Sequence, residues 1–220
     1  MDRTFAVSIG GAAGQGVATP GDIFAKLFAR RGLHINAYNA YQSIIRGGHT
    51  FLTIRAGIEQ VTCFGDRIDL LIPLNQDSMD RHLGLMKAGS AVVYNSDTIK
   101  PDARPEGVQF CPLPVNQLSK ASRSKVEQNT LALAASLKLM GVDFEPLAEI
   151  LTEQFMRKGS KVLTENLDIA RPVTIMRPQT FSLLRIRFQR AIRNTPYFPA
   201  TSRSLWEAQR PGSNSTVLIR

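Results

Sequence analysis

The sequence predicts an α/β fold: a layered, mainly parallel sheet flanked by helices. Three observations carry this. Short apolar runs alternate along the chain with longer stretches of helical periodicity. One of the runs, IDLLIPL at residues 68–74, is apolar almost throughout, as a strand covered on both faces must be. A glycine-rich stretch, IGGAAGQGVATPGD, joins the first run to the first helical pattern, as strand-to-helix turns do in open parallel sheets.

Residues 5–9 (FAVSI) form the first strand and residues 10–16 the glycine loop. Thr19 and Pro20 read as an N-cap followed by proline at the first helical position, with Asp22 in the first turn. Ile23, Phe24, Leu27 and Phe28 share one helical face, with Asp22, Lys26 and Arg30 opposite. Gly32 stops that helix, and residues 34–38 give a second strand. Residues 50–56 (TFLTIRA) alternate as a strand does, and residues 61–64 read as a short edge strand paired with them. After the buried strand at 68–74 come a helix over 77–86, a buried strand over 91–94, a looser segment over 96–107 and a strand over 108–111. A strongly apolar helix over 125–140 stops at Gly141. Asp143 caps the next, which runs to about residue 155 with Leu147, Ile150, Leu151 and Phe155 inward. No internal repeat is visible.

With 220 residues, 43% hydrophobic and 20% charged, the chain can bury one substantial core. No apolar stretch reaches the ~18–20 residues of a membrane span, and MDRTFAVSIGG lacks a signal-peptide core, so the expected setting is cytoplasmic and away from membranes. The two cysteines, Cys63 and Cys111, form no C-x-x-C, which argues against an iron–sulfur or Cys-rich zinc site on this chain. Both are read as half-buried packing residues. The net charge of +9 suggests nucleic acid until it is mapped. Residues 1–170 carry 18 Lys+Arg against 17 Asp+Glu, whereas residues 171–220 carry nine Arg, no Lys and one acid, Glu207. The domain itself is near neutral and no nucleic-acid partner is expected for it.

The glycine loop fails two standard tests. Gly11 and Gly16 have Walker A spacing, but Val17 stands where the phosphate-reaching lysine belongs. Gly10, Gly11, Gly14 and Gly16 do not fit G-x-G-x-x-G, and the second strand ends in Ala37-Tyr38-Asn39 with no carboxylate for a ribose. What survives is a helix N-terminus behind bare backbone amides, a seat for an anion, or else a tight connection. Gln15, a long polar side chain between Gly14 and Gly16, favours the first. In YQSIIRGGHT, Arg46 is a bidentate donor for carboxylate or phosphate, Gly47 and Gly48 allow close backbone approach, and His49 adds a ring nitrogen. The alternative is a β-turn with a solvated arginine. Asn75 ends a strand where ligands of open sheets gather, or simply forms a turn. The three histidines, His34, His49 and His82, have no metal-ligand spacing, and no G-x-S-x-G elbow exists. No catalytic residue is assigned.

Three motifs in order, IGGAAGQGVATPGDIFAKLFARRGLHI, YNAYQSIIRGGHTFLTIR and DLLIPLN, together resemble the gamma domain of the 2-oxoacid:ferredoxin oxidoreductases. EQNTLALAASLKLMGVDFEPLAEILTEQF and KGSKVLTENLDIAR look like the last helices of that domain, and the match covers about residues 4–171. It is especially similar to the fused form that opens the alpha subunit of the 2-oxoglutarate enzymes. The resemblance implies an enzyme that oxidatively decarboxylates a 2-oxoacid to an acyl-CoA and passes electrons to ferredoxin. Thiamine diphosphate with Mg and the 4Fe-4S clusters would sit on the missing domain or on partner subunits, a thiamine-binding beta subunit and a ferredoxin or iron–sulfur subunit. This domain would contribute to coenzyme A binding and to the subunit interface, with Gly14, Gln15, Gly16, Arg46, Gly47, Gly48, His49 and Asn75 as candidate contacts. Alone it would be inactive. The alternatives are the small subunit of the related indolepyruvate enzyme and a stand-alone nucleotide- or CoA-binding module with a basic, nucleic-acid-binding tail.

The tail departs from the family. The fused subunit would continue past Ala170-Arg171 with A-G-Y-D-Y-A, where this chain has PVTIMR. DNA coding A-G-Y-D-Y-A, read one base later, gives P-V-T-I-M-R. A thiamine-domain opening of the type G-N-E-S-I-A-L-G-G, shifted the same way, gives ATSRSLWEA, which begins at residue 200. Residues 172–220 are therefore expected to be out of frame and without a selected core, a disordered Arg-rich tail after a domain of residues 1–171.

Overall fold

The computed structural model describes residues 4–41, 48–118 and 125–175. The sheet has six strands: β1 (Thr4–Ala12), β2 (His34–Tyr41), β3 (His49–Gly57), β4 (Ile68–Pro73), β5 (Met86–Asn95) and β6 (Gln109–Leu113). Their order is β2-β3-β1-β4-β5-β6. The β1, β4, β5 and β6 ladders are parallel, while β3 runs antiparallel to both β1 and β2. The predicted mainly parallel, helix-flanked sheet is therefore found, with one reversed strand inserted between β1 and β2.

Strand alternation assigns the two faces. Phe5, Val7 and Ile9 of β1, with Leu52, Ile54 and Ala56 of β3, enter the larger core. That core is closed by α1 (Ala18–Arg30), α4 (Lys125–Leu139), α5 (Phe144–Phe155) and α6 (Ser160–Ile175). Burying Phe5, Phe24, Phe28 and Phe155 almost completely contributes roughly 1.5–3 kcal/mol each. On the other face α2 (Gln76–Leu83) covers β4 and β5 through Met79 and Leu83, against Ile68, Leu71, Val92 and Tyr94. A short helix, α3 (Val115–Leu118), follows β6.

Several local expectations need correction. α1 begins at Ala18 behind Val17, with no side-chain cap, so Thr19 is not the N-cap and Pro20 lies inside the first turn. Asp143 does precede α5, yet its side chain makes no capping bond. Residues 61–64 form no strand. They fold back so that Phe64 stacks on Tyr38 with centroids 4.2 Å apart, and Arg55 donates to Cys63 Sγ at 3.5 Å. Cys63 is exposed rather than half-buried, while Cys111 is buried in the sheet. The α2 helix ends at Leu83, since Met86 already belongs to β5. Asp69 interrupts the apolar run of β4, and its Oδ2 accepts from the Ala6 N–H at 2.9 Å beside an irregularity in the β4–β5 register. Helix α6 continues past residue 171, and Val173 is fully buried. The tail from residue 176 onward lies outside the described residues.

Candidate functional site

The glycine stretch divides its labour. Gly10 and Gly11 lie in β1, not in a loop. A Cβ on Gly10 would sit 3.0 Å from Ser78 Cβ and 3.4 Å from His82 Cδ2, so this glycine lets α2 press on the sheet. Gly14 and Gly16, at φ 82° and 83°, adopt the left-handed backbone that makes the turn. The Gln15 N–H donates to Ala12 O at 3.0 Å and closes it.

Gln15 faces inward. Its Oε1 accepts from the Ala12 N–H at 2.6 Å and from Asn75 Nδ2 at 2.9 Å, and its Nε2 donates to Leu74 O at 3.4 Å. Asn75 is the N-cap of α2, its side chain accepting from the Ser78 N–H at 2.8 Å. Both side chains thus bolt the turn to the end of β4. From the other face, Asn129 of α4 donates to Gln15 O at 2.9 Å and to Gly16 O at 3.2 Å. Asn129 was not singled out by sequence. The signal available was a polar residue early in an otherwise apolar helix, where burial demands a hydrogen-bonded reason.

The second motif joins the first through Gly48. Its carbonyl accepts from the Ala13 N–H at 3.1 Å, and the next residue, His49, pairs in register with Ala12. Arg46 and Gly47 lie outside the described residues. His49 is buried and meets an unforeseen partner: its Nε2 is 2.9 Å from the Nε2 of His82 on α2. His49 Nδ1 lies 3.4 Å from Ser78 Oγ and 3.5 Å from Asp77 Oδ2. Burial lowers the His82 pKa to about 4, helped by His49 and Arg81, and burial also lowers that of His49 against the pull of Asp77. Helical spacing could have revealed this pairing, because Ser78 and His82 are four residues apart on the face that carries Met79.

A cleft opens beside the turn, lined by Gly14, Gln15, Gly16, Thr19, Asn129 and Phe155 among others, with a volume of about 120 Å³. A Cβ on Gly14 would meet nothing within 4 Å. Among the described residues no acceptor meets the Gly14 or Gly16 N–H, and the α1 N-terminus has no side-chain cap. These groups suit a small anionic group. The volume is well below the ~300–1,000 Å³ of a pocket that encloses a whole cofactor. Among the described residues no cluster of three or more His, Cys, Asp or Glu could hold a metal ion, and no helix is long and apolar enough to cross a membrane.

A glycine turn at the carboxyl edge of an open, mainly parallel sheet, backed by an uncapped helix, defines an α/β domain of the open-sheet class. The chain belongs to the pyruvate ferredoxin/flavodoxin oxidoreductase family, whose model matches residues 6–173. It is 29% identical over 171 residues to ketoisovalerate oxidoreductase subunit VorA of Methanothermobacter marburgensis, covering 76% of this chain and 35% of that protein. It is 24% identical to 2-oxoglutarate synthase subunit KorC of Archaeoglobus fulgidus, covering 73% of this chain and 83% of that one. Among solved structures it resembles the 2-oxoglutarate:ferredoxin oxidoreductase of Magnetococcus marinus with 2-oxoglutarate, coenzyme A and succinyl-CoA bound. There the TM-score is 0.70 and the identity 29%, over 79% of this chain and 31% of that one. The chain thus spans about a third of the length of VorA and of the Magnetococcus chain.

Proposed function

We propose that this chain supplies the gamma-type domain of a 2-oxoacid:ferredoxin oxidoreductase, of the 2-oxoglutarate class, and that it seats one phosphate of coenzyme A on the turn at residues 13–17. The observation that carries this is the joining of the two motifs. Ala13 hangs on Gly48, while the Gly14 and Gly16 amides meet no acceptor among the described residues and precede an uncapped helix start. Likeness to a structure containing coenzyme A supports the ligand. The small cleft implies that most of such a ligand lies against other domains. Candidate contacts are then the Gly14 and Gly16 amides and Thr19, with Arg46 and Gly47 close in sequence to the anchored Gly48. Gln15, Asn75 and His49 act behind them as supports. Thiamine diphosphate with Mg, and the 4Fe-4S clusters that serve ferredoxin, belong to a thiamine-binding beta subunit, an iron–sulfur subunit or a further domain. The setting proposed is cytoplasmic. Turnover requires these partners.

The out-of-frame origin of residues 172–220 is part of this reading, and DNA beyond codon 171 decides it. A thiamine-type domain in the frame one base before this chain's own, the −1 frame, is the expected result. A second reading, a free-standing small subunit, is favoured by the 83% coverage of KorC. A natural stop in both frames would select it. The binding half is tested by titrating the chain, alone and with a thiamine-bearing partner, with coenzyme A, NAD and RNA. Coenzyme A alone should bind. Failure of coenzyme A to bind either form sinks the reading, and RNA binding that needs the tail would favour a basic recruitment module.

A further inference from the structure

We infer that His82 is the positioning residue for the glycine turn, acting through His49 as a clasp that protonation loosens and that two charged rings would force open. The hydrogen-bond inventory sets the direction of the clasp. His82 Nδ1 is buried and meets no partner among the described residues. A buried N–H without an acceptor is far rarer than a buried lone pair without a donor, so the His82 proton belongs on Nε2. His82 Nε2–H then donates to His49 Nε2 at 2.9 Å. That leaves the His49 proton on Nδ1, facing Ser78 Oγ at 3.4 Å and Asp77 Oδ2 at 3.5 Å. The relay runs from the His82 donor through His49 to the Asp77 carboxylate, from the buried end of α2 to its exposed first turn.

The mechanical consequence follows from the backbone. His49 opens β3 opposite Ala12, and its neighbour Gly48 holds the Ala13 N–H. The same helix meets the turn a second time, where Asn75 at its N-terminus donates to Gln15. Helix α2 therefore grips the turn at both ends, and its imidazole end is the one that titrates. Among the described residues, the charged neighbours that act on the pair, Asp77 and Arg81, both sit on α2. β3 contributes the Phe51 ring, T-shaped to the His82 ring with centroids 5.0 Å apart, and β1 brings the Gly10 backbone against His82. With the His82 pKa lowered from 6.5 to about 4, the unfolded chain takes up a proton that the folded pair refuses. Stability contributed by the clasp is thus present above about pH 6.5 and lost as pH falls toward about 4, an effect of up to about 300-fold on the unfolding equilibrium. Protonating both rings would also place two like charges 2.9 Å apart.

The test is amide hydrogen exchange at Ala13 in the full chain, expressed as a protection factor and followed from pH 7.5 to pH 4.5. The wild type should lose Ala13 protection at least tenfold across that range. His82→Ala should lose it already at pH 7.5. His82→Gln, whose amide can donate to His49 Nε2 but does not titrate, should restore protection at pH 7.5 and flatten the pH profile. Unchanged Ala13 protection in folded His82→Ala, or a wild-type pH profile in His82→Gln, would overturn the clasp. The functional side of the inference rests on the coenzyme A reading, and the two separate cleanly. If coenzyme A binds no variant at any pH, that reading fails, while the Ala13 pattern still decides the clasp.

Discussion

Gly14 and Gly16 offer a controlled comparison, because both sit in the left-handed region at nearly the same φ, 82° and 83°. Replacing either by alanine costs about 1–2 kcal/mol for that backbone alone. Around Gly14 the methyl group would meet nothing within 4 Å, so Gly14→Ala should stop there. At Gly16 the new Cβ would lie 2.8 Å from Asn129 Nδ2, closer than such atoms pack. Asn129 is itself buried and holds two carbonyls of the turn, at 2.9 and 3.2 Å. Displacing it forfeits at least one of those bonds, about 0.5–1.5 kcal/mol more. Gly16→Ala should therefore unfold at the lower urea midpoint, with a Tm lower by roughly 2–4 °C for each additional kcal/mol. The decisive control is Asn129→Ala. In that background the two alanine variants should become equal, since the only difference between the sites has been removed. Equal destabilisation in the wild-type background would refute the reasoning. So would a difference that survives the loss of Asn129.

Other outcomes follow from the same contacts. Gln15→Ala strips the acceptor from the Ala12 N–H and from Asn75 Nδ2, so it should destabilise the chain by about 1–3 kcal/mol in urea titrations, before any ligand is added. Gly21→Ala would stabilise an open helix by about 1 kcal/mol, but here the methyl overlaps the Leu52 side chain. The sign should reverse and return to stabilising in the Leu52→Ala background, as thermal unfolding can show. Thiol labelling of the native chain should modify Cys63 alone, because Cys63 is exposed while burial pushes the Cys111 thiol up to about 12. Labelling of both at equal rates would mean that β6 opens readily.

The fold was legible where periodicity and composition act through the local chain. IDLLIPL reads as a strand covered on both faces because its apolar atoms need cover on both sides, and β4 has α2 on one side and the larger core on the other. The reversed direction of β3 was not legible. TFLTIRA has the same alternation whichever way it runs, and its place between β1 and β2 is decided by pairing partners far away in sequence. The α1 start shows a different failure. Thr19-Pro20 matches the capping preference, yet the left-handed Gly16 hands the chain directly to Val17 and the helix begins one residue before Thr19. Residues 61–64 look like a strand because Val, Thr and Phe favour one. The aromatic contact of Phe64 with Tyr38 instead draws them over the β2–β3 face.

The site was legible as a location and much less so as a set of contacts. Sequence marks Gln15 as a long polar side chain between glycines, the usual appearance of a ligand-facing residue. It carries no information on whether acceptors and donors of the fold itself lie within reach. Here they do: one amide of β1, one side chain of α2 and one carbonyl after β4 take up Gln15 from three elements. A side chain so engaged would have to break internal bonds to reach a ligand, each break costing about what the new bond returns. Backbone amides of Gly14 and Gly16 face no such competition, and a left-handed turn can present them only where a side chain is absent. The polar residues thus fix the turn and the glycines present it. Substitutions at Gln15, Asn75 or Asn129 should therefore act on stability and on ligand affinity together, whereas Gly14→Ala, which disturbs no packing, should change affinity more than its backbone cost alone accounts for if an anion sits there. Coenzyme A titration of Gly14→Ala beside Gln15→Ala, at temperatures where both remain folded, distinguishes a presenting residue from a supporting one.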